Sequence, residues 1–436
     1  MKVSFHTLGC KTNAYETQAI REQFLTAGYE LGEFSEPCDV YVINTCAVTA
    51  EAARKSRQMT GRCKRKNPQA LVVVTGCYAQ EAGEELLRET MADLVVGNSE
   101  KNRILPLVQD LAKGCTVVKD LSGCREYEKQ SITLGQEDHV RAYVKIQDGC
   151  DRFCSYCLIP FLRGRSRSRD REDILQEVRD LAASGCQEIV LTGIDISSFR
   201  TGGEKGEDLV CLLEKLDRIS GVERIRLGSL EEGIISKPFL ERLVSVASFC
   251  PQFHLSLQSG SNTVLKRMNR HYTAQEFYQA VEMIRERFPN AGITTDIITG
   301  FPGETEEEFE ETMAFARKTG FSRLHVFPYS RREGTRADQM PGQLTRAVRE
   351  ERAARLIRLG EQLREQYECR LIGKTCHILA EECVRTENGL FLAGYTPEYV
   401  RILLPVRTQP EKQETLLNRI IPVVPKVFQD GCLIAE

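Results

Sequence analysis

The chain has 436 residues, of which 41% are hydrophobic and 28% charged, and its formal net charge is −3. This length suits two or three domains, and the composition is that of a folded soluble protein. The near-neutral charge excludes a global positive field, so any nucleic-acid site must come from local clusters. Lys2, His6, Lys11 and Glu16 interrupt the segment where a signal peptide would lie. No apolar run reaches the ~18–20 residues that cross a bilayer, so we expect a cytoplasmic protein without a membrane partner.

Short apolar runs alternate with helix-like stretches in residues 1–118, which predicts an N-terminal parallel α/β domain. The runs are Val3–Thr7, Val40–Asn44 and Leu71–Thr75, and a polar turn follows each of them. Leu121–Asp138 contains Gly, Ser and charged residues with little periodicity, so we interpret it as the connection to a second domain.

The alternation resumes with longer units in a central domain that we assign to residues 139–368. Units of this length predict one of two architectures: an open (β/α)6 barrel, which is a partial TIM barrel, or a doubly wound sheet. A long amphipathic helix is expected over Gln343–Gly373, near the end of this domain. The six predicted strands are Val140–Ile146, Glu188–Gly193, Arg224–Ser229, Phe253–Leu257, Ile293–Thr299 and Leu324–Tyr329.

Beyond this helix the hydrophobic period shortens towards two, which predicts a small antiparallel β domain over residues 369–436. A barrel of about five strands fits a segment of this length. The apolar segments are Thr375–Ala380, Leu390–Ala393, Tyr399–Pro405 and Arg419–Val427.

Three of the 17 cysteines, Cys150, Cys154 and Cys157, lie in one short loop directly after the strand Val140–Ile146. In a reducing compartment cysteines serve as metal ligands, catalytic thiols or small core residues. A loop with this spacing brings thiolates together as a [4Fe-4S] cluster requires, and three ligands leave one iron open to a substrate. The alternatives are a zinc knuckle or unrelated buried thiols, but residues 158–171 offer no fourth Cys or His for zinc.

Cys10, Cys46 and Cys77 are distant in the sequence but occupy equivalent positions, each shortly after a predicted N-terminal strand. In a parallel sheet these strand ends meet along one edge, where ligands bind. The three thiolates could therefore hold a second cluster with its own open iron. Chance placement among many cysteines is the alternative.

The loop Cys150-Asp-Arg-Phe-Cys154-Ser-Tyr-Cys157 resembles that of the radical S-adenosylmethionine superfamily. The segments around Cys10, Cys46 and Cys77 resemble the N-terminal domain of the methylthiotransferases within that superfamily. The similarity continues through much of the chain and includes a C-terminal module that resembles the small β-barrel called TRAM.

The resemblance implies a radical enzyme with two [4Fe-4S] clusters and S-adenosylmethionine as both radical source and methyl donor. It implies that the six cysteines of the two triplets are the catalytic cluster ligands. It also implies cofactor contacts near the strand ends, and the candidates are Tyr156, Thr192, Gly193, Ser256, Gln258 and Asp296.

Three substrates compete within this family: two modified adenosines at position 37 of tRNA, bearing a threonylcarbamoyl or an isopentenyl group, and an aspartate of a ribosomal protein. Cys46-Ala-Val-Thr49 and Cys77-Tyr-Ala-Gln80 are similar to the threonylcarbamoyl branch. The implied partners are the tRNA anticodon loop and a one-electron reductant such as flavodoxin, while the sulfur source stays open. A non-catalytic RNA-binding protein with structural zinc is the alternative from a different class.

Two basic segments support an RNA partner. Residues 54–66 contain seven Lys or Arg residues and no acid. In a second segment Arg163, Arg165, Arg167, Arg169 and Arg171 alternate with other residues. An extended backbone would point all five guanidinium groups one way, towards successive phosphates.

Overall fold

The computed structural model describes residues 1–133, 140–202, 206–406 and 416–436, and it begins with a parallel α/β domain. The strands are β1 (Lys2–Thr7), β2 (Glu30–Leu31), β3 (Val40–Thr45), β4 (Leu71–Gly76), β5 (Leu94–Val96) and β6 (Cys115–Val117). The helices are α1 (Lys11–Thr26), α2 (Ala50–Lys66), α3 (Cys77–Ala82), α4 (Glu84–Glu89) and α5 (Ile104–Gln109), with a 3-10 turn at Lys101–Arg103. The spatial order β2-β1-β3-β4-β5-β6 is parallel throughout, which confirms the predicted domain type.

Strands β3 and β4 are buried at every position and mainly apolar, because helices cover both faces of this sheet. Phe24 of α1 lies in the core with Val42 on one face. Met59 of α2 lies with Ile43 on the other face. The loops between strands and helices therefore gather at the carboxyl edge of the sheet.

The central domain contains seven principal parallel strands and four short ones. They are β7 (Arg141–Lys145), β8 (Gln147–Asp148), β9 (Arg167–Ser168), β10 (Glu188–Thr192), β11 (Arg200–Thr201), β12 (Glu207–Asp208), β13 (Arg224–Leu227), β14 (Ser229–Leu230), β15 (Gln252–Leu255), β16 (Gly292–Thr299) and β17 (Arg323–Pro328). The helices are α6 (Ile159–Leu162), α7 (Arg171–Ala183), α8 (Leu209–Leu216), α9 (Lys237–Val244), α10 (Asn262–Arg267), α11 (Ala274–Arg287), α12 (Glu306–Thr319) and α13 (Arg346–Cys369), and 3-10 turns lie at Ile196–Ser198, Glu232–Ile234 and Arg336–Gln339.

The order of these strands decides between the two expected architectures. Strands β7, β10 and β13 pair in parallel, and β14, β15, β16 and β17 continue in parallel and in chain order. Strands β13 and β14 are two parts of one strand position, interrupted at Gly228. A doubly wound sheet would reverse its order at a switch point. The consecutive order of six positions instead confirms the open (β/α)6 barrel.

The C-terminal domain is a curled six-stranded sheet, one strand more than expected. Its strands are β18 (Cys376–Thr386), β19 (Gly389–Tyr395), β20 (Arg401–Pro405), β21 (Ile420–Val423), β22 (Pro425–Gln429) and β23 (Cys432–Ala435). The order is β21-β18-β19-β20-β23-β22, antiparallel except for the parallel pair β20 and β23. The apolar segment Arg419–Val427 divides into two strands, since β21 and β22 separate at Val424.

The segment after the N-terminal domain packs against the rest of the protein. Leu121 and Ile132 are buried, and Ile132 shares the barrel core with Tyr15 of α1. The predicted start of the central domain at residue 139, like residues 134–138 of the predicted connection, lies outside the described residues. Among the helices that the structure describes, none has the length and apolar character to cross a membrane.

Candidate active site at the carboxyl ends of the strands

The three N-terminal cysteines lie at three adjacent junctions between strand and helix. Cys10 directly precedes α1, Cys46 follows β3, and Cys77 is the first residue of α3. Gly9 packs so closely on Cys46 that a Cβ there would lie 3.1 Å from the Cys46 Sγ. Burial, together with the neighbouring Cys77 and Cys10 thiols, raises the pKa of Cys46 to about 11. The fold thus brings these three thiols into one site.

The second triplet lies in the loop that follows β8. Gly149 enters this loop with φ +73°, and a Cβ there would lie 2.0 Å from the Arg165 carbonyl oxygen, so only glycine fits. Burial raises the pKa of Cys150 and of Cys157 to about 12, and the Cys154 thiol adds to both shifts. Within the described ranges, no three His, Cys, Asp or Glu side chains form a ready site for a single metal ion.

A buried arginine contacts the second triplet. Arg270 is 8% exposed, and its Nη1 donates to the Cys154 Sγ at 3.4 Å. Its Nη2 donates to the Ser256 carbonyl oxygen at 3.0 Å, and Glu231 accepts a further hydrogen bond from this guanidinium. This guanidinium therefore holds the Cys154 side chain in place.

The first triplet has an equivalent partner in Arg163, which is fully buried. Its Nε donates to the Cys77 Sγ at 3.3 Å, and its Nη1 donates to Glu16 at 2.8 Å and to Asp148 at 3.2 Å. This guanidinium therefore links α1, the Cys77 junction and the loop before Cys150. It physically connects the two triplets.

The ion pairs around Arg163 form a buried network with more positive than negative charge. Its carboxylates are those of Glu16 and Asp148. Its cations are Lys101, Lys145, Arg163 and Arg167. Buried charge requires compensation, and three thiolates ligating an iron–sulfur cluster would supply negative charge beside this network. The donor set and its surroundings thus fit the cluster expected at Cys10, Cys46 and Cys77.

The alternating arginines do not form the exposed row that their spacing suggested, so that expectation is wrong. Arg163, Arg167 and Arg169 are buried, and Arg169 pairs with Glu177 at 2.8 Å. Only Arg165 and Arg171 reach solvent among the five. The segment runs between the N-terminal domain and the barrel, where carboxylates from both sides bind the guanidinium groups.

The other basic segment does lie on the surface. Residues 54–66 belong to α2, and their exposed cations are Arg54, Lys55, Arg57, Arg62 and Arg65. The helix starts at its cap Thr49, three residues after Cys46. A helix of this kind presents positive charge near the candidate site, as phosphate binding requires.

A cavity of about 250 Å³ lies between the two triplets. The N-terminal domain contributes Ala47, Val48 and Thr49, which follow Cys46, and the barrel contributes the segment from Tyr156 to Ile159, including Cys157. The remaining lining residues are Leu162, Gln258, Asp296, Ile298, Phe327, Pro328, Tyr329, Ser330 and Arg332. This mainly apolar lining can exclude water from a bound base or cofactor.

Three of the six candidate cofactor contacts, Tyr156, Gln258 and Asp296, line this cavity. Gln258 has φ +71°, and its backbone forms hydrogen bonds with Asp296 and Ile298. Asp296 also lies 3.4 Å from the Nε2 of His254.

The other three candidates lie outside the cavity lining. Thr192 is buried at the end of β10, where its carbonyl oxygen accepts from the Ile146 amide. Gly193 accepts a hydrogen bond from the Thr12 hydroxyl at 3.4 Å, which joins the barrel to α1. The Ser256 carbonyl oxygen is already bound by Arg270 and by the Tyr272 hydroxyl.

Sequence reasoning missed the individual roles of Arg163, Arg270 and Arg332. The alternating row that predicted phosphate contacts includes Arg163, and no pattern in the sequence singles out Arg270. No spacing pattern singles out Arg332, because its place in the cavity depends on the packing of the loop after β17 against α3.

The chain matches two family models. The model described as the radical SAM superfamily matches residues 144–316, and the one described as uncharacterized protein family UPF0004 matches residues 2–97. A solved structure of the radical S-adenosylmethionine methyltransferase TsrM from Kitasatospora setae aligns with a TM-score of 0.56 over 77% of each chain. Its sequence identity is 15%, so this likeness concerns the fold alone.

Two curated relatives extend over most of the chain. The threonylcarbamoyladenosine tRNA methylthiotransferase MtaB of Bacillus subtilis is 41% identical over 98% of this chain and 94% of its own length. The tRNA-2-methylthio-N(6)-dimethylallyladenosine synthase of Caldicellulosiruptor saccharolyticus is 35% identical over 88% of this chain and 83% of its own length. With the cysteine triplets and the barrel, these matches show that the chain belongs to the radical S-adenosylmethionine methylthiotransferases, enzymes whose cofactors are S-adenosylmethionine and [4Fe-4S] clusters.

Proposed function

We propose that this enzyme attaches a methylthio group to C2 of N6-threonylcarbamoyladenosine at position 37 of tRNA. The observation that carries the proposal is the single cavity bordered by Cys157 of one triplet and by the residues after Cys46 of the other. A substrate bound there would contact the surroundings of both triplets at once. Such an arrangement suits a reaction that must both activate a C–H bond and deliver sulfur.

In this proposal Cys150, Cys154 and Cys157 hold one cluster and Cys10, Cys46 and Cys77 hold the second. The bound cofactors supply the radical chemistry, the methyl group and a route for sulfur. The protein itself holds the ligands in place through buried guanidinium groups, Arg270 at Cys154 and Arg163 at Cys77. Of the candidate cofactor contacts, Tyr156, Gln258 and Asp296 are best placed, since they line the cavity beside Cys157.

The threonylcarbamoyl branch is supported by the name of the relative that is 41% identical. The isopentenyl branch is the second candidate, because a relative that is 35% identical carries that substrate in its name and the cavity lining is mainly apolar. The exposed cations of α2 support tRNA, through its anticodon loop, over a ribosomal protein as the macromolecular substrate. A one-electron reductant such as flavodoxin would complete the partners.

The test is to digest bulk tRNA from a deletion strain and to measure its modified nucleosides by mass spectrometry. We expect selective loss of the methylthio group from threonylcarbamoyladenosine. Loss from isopentenyladenosine would instead assign the second branch. An unchanged nucleoside profile would contradict a tRNA substrate and favour the ribosomal protein.

Metal analysis of the anaerobically purified protein tests the two-cluster assignment. Two four-iron clusters require about eight irons per chain and little zinc. A zinc-containing protein without iron would support the non-catalytic RNA-binding alternative.

A further inference from the structure

The cavity between the triplets contains one cation, Arg332, among the described residues that line it. Among the lining residues that the structure describes, Asp296 is the one other charged residue. Arg332 lies in the loop that follows β17 and is 9% exposed, so its guanidinium is largely removed from water. A buried cation in a mainly apolar cavity must be compensated by a carboxylate or another anion.

Glu81 pairs with this charge, but one donor of the guanidinium has no partner among the described residues. Arg332 Nη2 donates to both carboxylate oxygens of Glu81, at 2.7 and 2.6 Å. Its Nε is buried and has no hydrogen-bond partner within the described parts of the chain. Buried donors are normally satisfied, and because Arg332 lines the cavity, a ligand that enters the cavity can supply the missing acceptor.

The two partners come from different domains. Glu81 belongs to α3, the helix that begins at Cys77, whereas Arg332 belongs to the barrel. Glu81 neutralises the guanidinium in the free protein, and its side chain is 26% exposed. A ligand carboxylate can therefore share or replace it without leaving a buried charge unpaired.

We propose that Arg332 binds the carboxylate of the threonylcarbamoyl group and thereby selects this substrate over its isopentenyl counterpart. The inference rests on the proposed function and identifies the residue that recognises the modified adenosine. The threonyl moiety carries a carboxylate, whereas the isopentenyl group carries no acceptor and would leave the Arg332 Nε unsatisfied. A site built to bind a polar group rejects an analogue that lacks it far more strongly than an apolar pocket discriminates by size.

The experiment compares two anticodon stem-loop RNAs with the cluster-loaded enzyme. One RNA carries threonylcarbamoyladenosine at position 37, and the other carries the same nucleoside with its carboxylate converted to a primary amide. For the wild type we expect KM to be about 10–100-fold higher for the amide, the range of one or two charge-assisted hydrogen bonds. For Arg332→Gln we expect a similar increase in KM for the acid substrate relative to the wild type. We expect its KM for the amide to be no higher than its KM for the acid.

Three controls separate binding of this group from a general defect. Formation of 5′-deoxyadenosine without RNA should stay within about twofold in Arg332→Gln, because S-adenosylmethionine does not use this arginine in our inference. Arg332→Lys keeps a positive charge but loses the planar guanidinium with its several donors. Its KM for the acid substrate should therefore lie between those of the wild type and Arg332→Gln. Arg331→Gln, at the exposed neighbour, should affect the acid and amide substrates equally.

The inference would be overturned if the wild type had equal KM values for the acid and the amide. It would also be overturned if Arg332→Gln had a higher KM for the amide than for the acid. Lost S-adenosylmethionine cleavage without RNA would also overturn it, by assigning Arg332 to the cofactor. A wild-type enzyme that leaves the acid substrate unmodified but methylthiolates an isopentenyladenosine stem-loop would refute the proposed function itself. The two failures are therefore distinguishable.

Discussion

Replacing Glu16 by glutamine removes the carboxylate at the centre of the network that joins the two cysteine triplets. Glu16 is 1% exposed and lies 2.7 Å from both Lys101 and Lys145 and 2.8 Å from Arg163. Burial by itself would raise the pKa of Glu16, but the charges of Arg163, Lys101 and Lys145 hold it well below its usual value. Glutamine keeps the shape but leaves these three buried cations facing one another.

The expected cost follows from the burial of all the partners. Removing one member of a buried ion pair typically costs about 3–5 kcal/mol, because the remaining charge is left uncompensated. Unfolding entropy is about 2.1 cal/mol/K per residue, which gives about 0.8 kcal/mol/K for a cooperative unit of roughly 370 residues. A loss of about 4 kcal/mol therefore lowers the melting temperature by about 5 °C.

The assay is anaerobic thermal unfolding of the reconstituted protein, followed by circular dichroism. The matched control is Glu51→Gln, which breaks an ion pair with Arg54 on the surface and should leave the melting temperature unchanged. The native pKa of Glu16 is depressed, so its stabilisation exists above the unfolded value of about 4.5 and is lost as the pH falls below it. We expect Glu16→Gln to melt about 5 °C below the control. A difference of less than about 1 °C would refute the reasoning.

Three further predictions concern the cysteines, a buried carboxyl and the C-terminal domain. Cys154→Ala should abolish S-adenosylmethionine cleavage, whereas Cys46→Ala should still form 5′-deoxyadenosine without methylthiolated product. Chromatography measures both products. Cleavage by Cys154→Ala or methylthiolation by Cys46→Ala would contradict the assignments. Burial raises the pKa of Glu368 to about 7, above the unfolded value of 4.5. The wild type should therefore lose stability relative to Glu368→Gln as the pH rises from 4.5 to 7, by up to about 3 kcal/mol, and parallel melting curves across that range would argue against it. Arg226 donates hydrogen bonds to Glu188 of the barrel and to the carbonyl oxygens of Thr396 and Pro397. Limited proteolysis of Arg226→Met should therefore release the C-terminal sheet as a fragment. A digestion pattern like that of the wild type would contradict this docking role.

The features that the sequence predicted well are those set by local patterns. Apolar runs marked strands such as β3 and β4, because a parallel strand that is covered on both faces is mainly apolar. The C-terminal segment was harder, since β21 and β22 read as one apolar run and β23 is only four residues long. Its one parallel pair, β20 with β23, joins strands that are distant in the chain, and no local pattern reports such a pairing.

The candidate site divides in the same way. Cys150, Cys154 and Cys157 are close in sequence, and Cys10, Cys46 and Cys77 follow strands that are neighbours in the sheet, so local spacing and strand order were sufficient to group them.

The arginines are where the sequence misled. An alternating row predicts exposed charge as readily as buried charge, and the partners that bury Arg163 and Arg169 come from Glu16 and Glu177, distant along the chain.

The sequence by itself determined most of the principal strands and helices and which cysteines group together, because periodicity and spacing act within a few residues. The tertiary structure alone decided which charges are buried. It placed Arg163 at Cys77 and Arg270 at Cys154, and it paired Arg332 of the cavity lining with Glu81. The energy of a charge depends on what surrounds it in space, and its surroundings here come from other domains and other strands.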